Sequence, residues 1–126
     1  MEIRNPGTAW TAFYTGYEKT PEVYAACDIL LKTSLLESFS YPPLEMMASG
    51  GYVVAVPNGG NLEYLKDGEN CILYPQGNLA EAKAAIERIL TDAELRKKLD
   101  TGAEETVKER NWKRIEPQIL EQYLGK

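Results

Sequence analysis

Leu36-Glu37-Ser38-Phe39-Ser40-Tyr41-Pro42-Pro43-Leu44-Glu45-Met46-Met47-Ala48-Ser49-Gly50 is the stretch that decides how this chain folds. It follows the apolar run Ile29-Leu30-Leu31, which suits a buried parallel strand over Asp28 to Thr33. Pro42 and Pro43 are excluded from a helix interior but fit its first turn. A helix is therefore predicted over Pro42 to Ser49, beginning near Ser40 or Tyr41 and ended by Gly50-Gly51. Glu37 then lies in the loop before the helix and Glu45 about one turn inside it. In open α/β sheets this is where ligands bind, outside the carboxyl ends of the strands. A helix start offers free N–H groups and the positive end of the macrodipole, which together favour a phosphate. The two prolines remove two donors, so the phosphate contact would rest on the amides of Phe39, Ser40 and Tyr41. A carboxylate one turn in is placed to accept hydrogen bonds from sugar hydroxyls beside that phosphate. The competing reading of Glu37 and Glu45 is a pair of ordinary surface charges.

Outward from this stretch the chain alternates strands and helices, which implies a parallel sheet with right-handed crossovers. A short aromatic strand is expected over Ala12 to Tyr17 and a short helix over Pro21 to Ala26. Tyr52 to Val56 is β-branched and stopped by Pro57, the mark of a second buried strand. Asn61 to Lys66 reads as a short helix, Asp67-Gly68 as a turn and Cys71 to Tyr74 as the last strand. From Asn78 onward the pattern is helical: Ala82, Ala85, Ile86, Ile89 and Leu90 make one apolar face. Asp92 is expected to cap a short helix through Leu99, Thr101 another through Arg110, and Asn111 a last one bearing Trp112, Ile115, Ile119, Leu120 and Tyr123. Asn58-Gly59-Gly60 after the second strand suits either a ligand loop or a plain turn, with Glu63 a candidate to hold it. Tyr41 is a candidate to stack on a base or sugar, or a packing residue.

Asp28 before a strand, Glu37 and Glu45 around a short loop, Ala48 and Gly50 behind, then Asn58-Gly59-Gly60-Asn61-Leu62-Glu63 and Asp67-Gly68-Glu69-Asn70 resemble the donor-binding half of retaining GT-B fold glycosyltransferases. The likeness is clearest from Thr20 to Pro75. It implies that Glu37 faces the transferred sugar, that Glu45 binds the nucleotide ribose, and that amides near Ser40 and Tyr41 approach the diphosphate. It also implies a truncated Rossmann-like α/β sheet with helices on both faces and a helical C-terminal segment. The wording Ser-Tyr-Pro-Pro-Leu-Glu-Met is similar to a subset that includes rhamnosyltransferases, a hint of a deoxythymidine-diphosphate-rhamnose donor. The pattern departs where Ser38 and Ser40 replace usual glycines and where Cys71 replaces a small residue. A serine is expected to hold the loop with negative φ rather than in a glycine-only conformation.

Within that resemblance, 126 residues make one partial domain, the C-terminal nucleotide-sugar-binding part of an enzyme whose N-terminal domain carries the acceptor site. The expected partners are a nucleotide diphosphate sugar and a glycan or lipid-linked acceptor of unread identity, with no cofactor. The family's basic grip on the diphosphate falls before Met1, and Arg4 is too isolated to replace it. The family strand order leaves one edge of the Asp28 to Thr33 strand unpaired, to be covered by the N-terminal strand or by a symmetric homodimer. A net charge of −5 without histidine argues against a nucleic-acid surface and removes the commonest base and metal ligand. Cys27 and Cys71 lack metal-ligand spacing, so no metal is expected, and their disulfide state is open. Two cysteines, no signal-like start and no long apolar run lead to an expected cytoplasmic location. Two other classes remain: a non-catalytic nucleotide-sugar binding module, and a doubly wound interaction domain without ligand. The latter calls for an acidic cluster at the first strand end, and none stands between Met1 and Gly16.

Overall fold

The protein is described by a computed structural model, which covers residues 2–4, 11–13, 20–111, 113 and 117–121. Two short strands, β1 (Glu2–Arg4) and β2 (Thr11–Phe13), pair antiparallel as a sheet of their own. Helix α1 (Thr20–Ala25) leads into β3 (Ile29–Lys32). Then come α2 (Tyr41–Ala48), β4 (Tyr52–Ala55), a 3-10 turn (Asn61–Glu63) and β5 (Ile72–Leu73). Two long helices, α3 (Leu79–Thr91) and α4 (Ala93–Glu109), follow. β3, β4 and β5 form a parallel sheet in that order, with Leu30 opposite Val53 and Val54 opposite Ile72.

The period-two alternation of β4 builds two cores from one strand. Val53 and Ala55 pack with Met46 and Met47 of α2, while Val54 and Val56 pack with Ala82, Ala85 and Ile89 of α3. Val53, Val54, Ala55 and Val56 are all buried, and a valine taken wholly out of water contributes about 1.5–3 kcal/mol. Helix α4 serves both cores, giving Leu95 and Leu99 to the α3 side and Ala103 with Val107 to the α2 side. This is the α/β architecture with helices on both faces that the alternating pattern implies. Among the described residues, no helix is long and apolar enough to cross a membrane.

Several expectations change. The run at Asp28 to Thr33 is not a fully buried strand: β3 is an edge of the three-stranded sheet, its residues are half-buried, and Leu31 is 45% exposed. Among the described residues the N-terminal strand does not pair with that edge: β2 pairs with β1 in a separate sheet. Asp92 to Arg110 is not two helices but one, with Asp92 capping it through a hydrogen bond from the Leu95 N–H. Gly102 does not end the helix; a Cβ there would stand 2.1 Å from the carbonyl oxygen of Glu69. The glycine permits a close backbone crossing, and Thr106 Oγ1 accepts from Asn70 Nδ2 one turn on. Asn61 to Lys66 shortens to the 3-10 turn, and Asp67-Gly68 is the expected turn, with Asp67 accepting from the Leu73 N–H. Cys27 and Cys71 are free thiols, and burial, aided by Asp67, pushes the Cys71 thiol up to about 12. The expected strand residues 14–17 lie outside the described residues, as do Trp112, Ile115 and Tyr123; residues 117–121 are helical.

Candidate functional site

The loop from residue 33 to residue 40 leaves the carboxyl end of β3 and enters α2. Lys32, the last residue of β3, reaches Glu37: Nζ lies 2.5 Å from Oε1, with the two side chains only 17% and 20% exposed. The Lys32 ammonium holds the Glu37 carboxyl below the ordinary glutamate range; the Ser40 and Ser34 hydroxyls act in the same direction and burial opposes them. The second carboxylate oxygen, Oε2, is buried and meets no hydrogen-bond partner among the described residues. Ser40 Oγ is in the same condition. The Ser40 hydroxyl is thus near enough to favour the carboxylate electrostatically without reaching hydrogen-bond geometry. Buried polar atoms are seldom left this way in a folded protein.

Ser40 also corrects an expectation. Its φ is +69° and ψ +72°, the left-handed region, so the serine adopts the conformation that a glycine would take without strain. Tyr64 holds it there: its hydroxyl donates to the Ser40 carbonyl, and burial pushes the Tyr64 phenol up to about 12. Phe39 packs between Tyr64 and Tyr41, with ring centroids 5.2 and 4.9 Å away, and the Arg110 guanidinium stands over its ring. Phe39 is therefore a packing residue in its side chain, whereas Tyr41 is 63% exposed at the rim. Among the described residues, the amides of Phe39, Ser40 and Tyr41 donate to no acceptor. Those of Ser40 and Tyr41 are donors that a helix start leaves open.

Glu45 sits one turn into α2, exposed, with Oε2 accepting a hydrogen bond of 2.8 Å from the Tyr24 hydroxyl of α1. Burial, together with that bond to Glu45, raises the Tyr24 phenol pKa. Glu37 in the loop before α2 and Glu45 on that helix thus each have one oxygen already engaged by a neighbouring side chain.

The loop after β4 is built differently. Asn58 Oδ1 accepts from the N–H groups of Gly60 and Asn61, and Asn61 Oδ1 accepts from the Asn58 N–H. Asn61 Nδ2 donates to the Val56 carbonyl, and Asn58 Nδ2 donates across to the Ser34 carbonyl in the Glu37 loop. Gly60 abuts the same loop, since a Cβ there would lie 2.4 Å from the Glu37 carbonyl oxygen. Of the three candidates Asn58, Gly59 and Gly60, only Gly59 is exposed; the other two are engaged in holding the Glu37 loop. Among the described residues the Glu63 side chain makes no hydrogen bond to that loop's backbone; its carboxylate faces Arg110 at 3.9 Å.

Lys32, Tyr24, Asn61 and Tyr64 were not singled out from sequence. A signal existed for two of them. Lys32 is a charge closing an apolar run at a strand's carboxyl end, and Asn58 and Asn61 bracket two glycines at the three-residue spacing of a reciprocal side-chain-to-backbone turn. Tyr24 and Tyr64 reach the site only through tertiary packing.

The family model for glycosyl transferases group 1 matches residues 6–106. The O-antigen biosynthesis protein RfbC of Myxococcus xanthus is 36% identical over 111 residues, covering 86% of this chain and 8% of that protein. HepE of Anabaena, solved in complex with UDP, superposes with a TM-score of 0.76 at 29% identity over 84% of this chain and 30% of its own. The C-terminal domain of a group 1 family glycosyl transferase, LpcC from Francisella tularensis, gives 0.69 at 28% identity over 79% and 51%. The chain therefore spans less than a third of the full-length relatives RfbC and HepE.

Proposed function

Because the chain belongs to the group 1 glycosyltransferases and corresponds to part of the C-terminal domain of a GT-B member, we propose that it binds the nucleotide diphosphate sugar donor of a retaining glycosyl transfer. The observation that carries this reading is the pair of orphaned buried polar atoms, Glu37 Oε2 and Ser40 Oγ, beside the open start of α2. The diphosphate takes the amides of Phe39, Ser40 and Tyr41, where the helix dipole favours negative charge. Glu45 takes the ribose through the carboxylate that Tyr24 orients. Glu37, kept ionised by Lys32, faces the sugar and stabilises the positive charge that develops as the diphosphate leaves. The acceptor, a glycan or lipid-linked molecule, binds on another domain, so this chain alone performs no transfer.

A uridine donor is supported by HepE, solved with UDP and with UDP-glucose; deoxythymidine-diphosphate-rhamnose is the alternative that the Ser-Tyr-Pro-Pro-Leu-Glu-Met wording favours. Ligand-observed NMR with UDP, UDP-glucose and deoxythymidine-diphosphate-rhamnose tests the reading on the chain itself. Binding at about millimolar or weaker is expected, with Glu45→Gln weakening every ligand that carries a nucleotide. Affinity for all three ligands that ignores Glu45→Gln overturns the assignment of the ribose site, and transfer by the 126-residue chain alone overturns the division of labour between domains.

A further inference from the structure

Lys32 has no part in the reading above beyond keeping Glu37 ionised, yet its geometry constrains the site further. An ion pair that serves only the fold is stable when its remaining lone pairs and protons are satisfied, since burial of charge is costly otherwise. The Lys32–Glu37 pair is made at one oxygen alone. Oε1 meets Nζ at 2.5 Å, while Oε2 is buried and orphaned. Ser40 compounds the anomaly. A non-glycine residue in the left-handed region costs about 1–2 kcal/mol, and here the residue is 94% buried and its hydroxyl has no partner among the described residues. Two adjacent buried groups, an acceptor and a hydroxyl that both donates and accepts, match the needs of one ligand hydroxyl.

We propose that Lys32 is the positioning residue of Glu37: by occupying Oε1 it leaves Oε2 as the sole oxygen offered to the transferred sugar, so that Glu37 and Ser40 together read a single hydroxyl rather than a vicinal pair. The inference rests on the donor-site reading and adds to it a residue, Lys32, and a stoichiometry of one hydroxyl. Lys32 touches no substrate; it acts by fixing the carboxylate's rotation and charge. The titratable groups facing Glu37 are Lys32 from β3 and Tyr64 from the end of the 3-10 turn, and the Tyr64 phenol stays protonated throughout the range in which the carboxyl titrates.

The test uses the chain labelled with ¹³C at glutamate side chains, comparing wild type, Lys32→Met and Lys32→Arg, each titrated with UDP and with UDP-glucose. In the wild type the glucose moiety is expected to move the Glu37 carboxyl resonance and to improve affinity over UDP by about tenfold, the worth of one hydrogen bond to a charged group. In Lys32→Met the carboxyl titrates at higher pH than in the wild type and the gain from glucose disappears while UDP still binds; Lys32→Arg restores part of that gain. A Lys32→Met protein that keeps the wild-type gain and the Glu37 response overturns the inference and leaves the donor reading standing. A wild type that binds neither UDP nor UDP-glucose overturns the donor reading, and the inference with it.

Discussion

The loops that leave the carboxyl ends of β3 and β4 lie against each other and are built on opposite principles. In the loop after β4, Asn58 and Asn61 are buried and their side chains spend their hydrogen-bonding capacity on the chain's own backbone. In the loop after β3, Glu37 and Ser40 each keep a buried atom without a partner among the described residues, and Ser40 is held in a strained conformation. Leu35 and Leu36 beside them stand in solvent, Leu36 at 90% exposure. On the proposed donor-site reading, the satisfied loop is scaffold and the unsatisfied loop is the ligand side. Strain and orphaned polar groups persist only where surrounding structure over-determines them, and the Asn58 to Ser34 bond and the Gly60 contact supply that constraint here.

Breaking the scaffold has the largest expected effect. Asn61→Ala strands the Asn58 N–H and the Val56 carbonyl inside the protein, for a loss of about 2–4 kcal/mol in urea denaturation. A loss below that of a surface substitution would mean that water replaces the side chain and that the loop is not closed.

Next come the two close approaches. Gly60→Ala pushes a methyl group into the Glu37 carbonyl, and Gly102→Ala pushes one into the Glu69 carbonyl. Each is expected to cost about 1–3 kcal/mol from overpacking. The pair sharpens the comparison, because Gly60→Ala should also reduce binding of UDP-glucose, whereas Gly102→Ala, on α4, should leave affinity of the folded fraction unchanged. For Gly102 the sign alone is diagnostic, since alanine is the better helix former and would stabilise an uncrowded helix.

Relieving the site loop should do the reverse of damaging the scaffold. Ser40→Gly removes left-handed strain of about 1–2 kcal/mol and gives back about 0.5–1 kcal/mol to the entropy of the unfolded chain, leaving a small net gain in thermal stability. The same change deletes the hydroxyl proposed to meet the sugar, so stability should rise while the affinity gain from glucose falls. A protein destabilised by Ser40→Gly would show that the hydroxyl serves the fold.

The smallest effect is one of pH. Glu37 has its folded-state pKa lowered by Lys32, so its contribution to stability is present above the unfolded-chain value and is lost as pH falls from there through the folded value. Lys32→Met should therefore lose stability at neutral pH and converge with the wild type in acid, as followed by circular dichroism melts across pH. Curves that stay parallel would remove the pair from the linkage.

Much of the frame is legible in the residues. The β-branched run at Tyr52, the tandem prolines and the apolar face from Ala82 to Leu90 each state their element locally. Errors arose where tertiary packing overrode a local signal. Asp100-Thr101-Gly102 looks like a helix stop and start, but the glycine is there because another backbone passes close by. Ile29-Leu30-Leu31 looks like a central strand, and its half-exposed state follows from its position at the sheet's edge. For the candidate site, Glu37 and Glu45 stand out in the sequence by position relative to strand and prolines. Their partners Lys32, Tyr24 and Tyr64 do not, because an ion pair or a phenol bond between segments depends on packing that no spacing encodes.

The central claim, that the loop after β3 and the start of α2 form the donor site, is tested most directly by titrating UDP-glucose into the ¹⁵N-labelled chain and mapping the amides that respond. The account predicts the largest shifts at Glu37, Phe39, Ser40, Tyr41 and Glu45, with small ones at Asn61 and none along the outer face of α4. Shifts centred instead on the groove lined by Lys66, Asn70, Lys98 and Thr106, or shifts spread evenly over the surface, would contradict it.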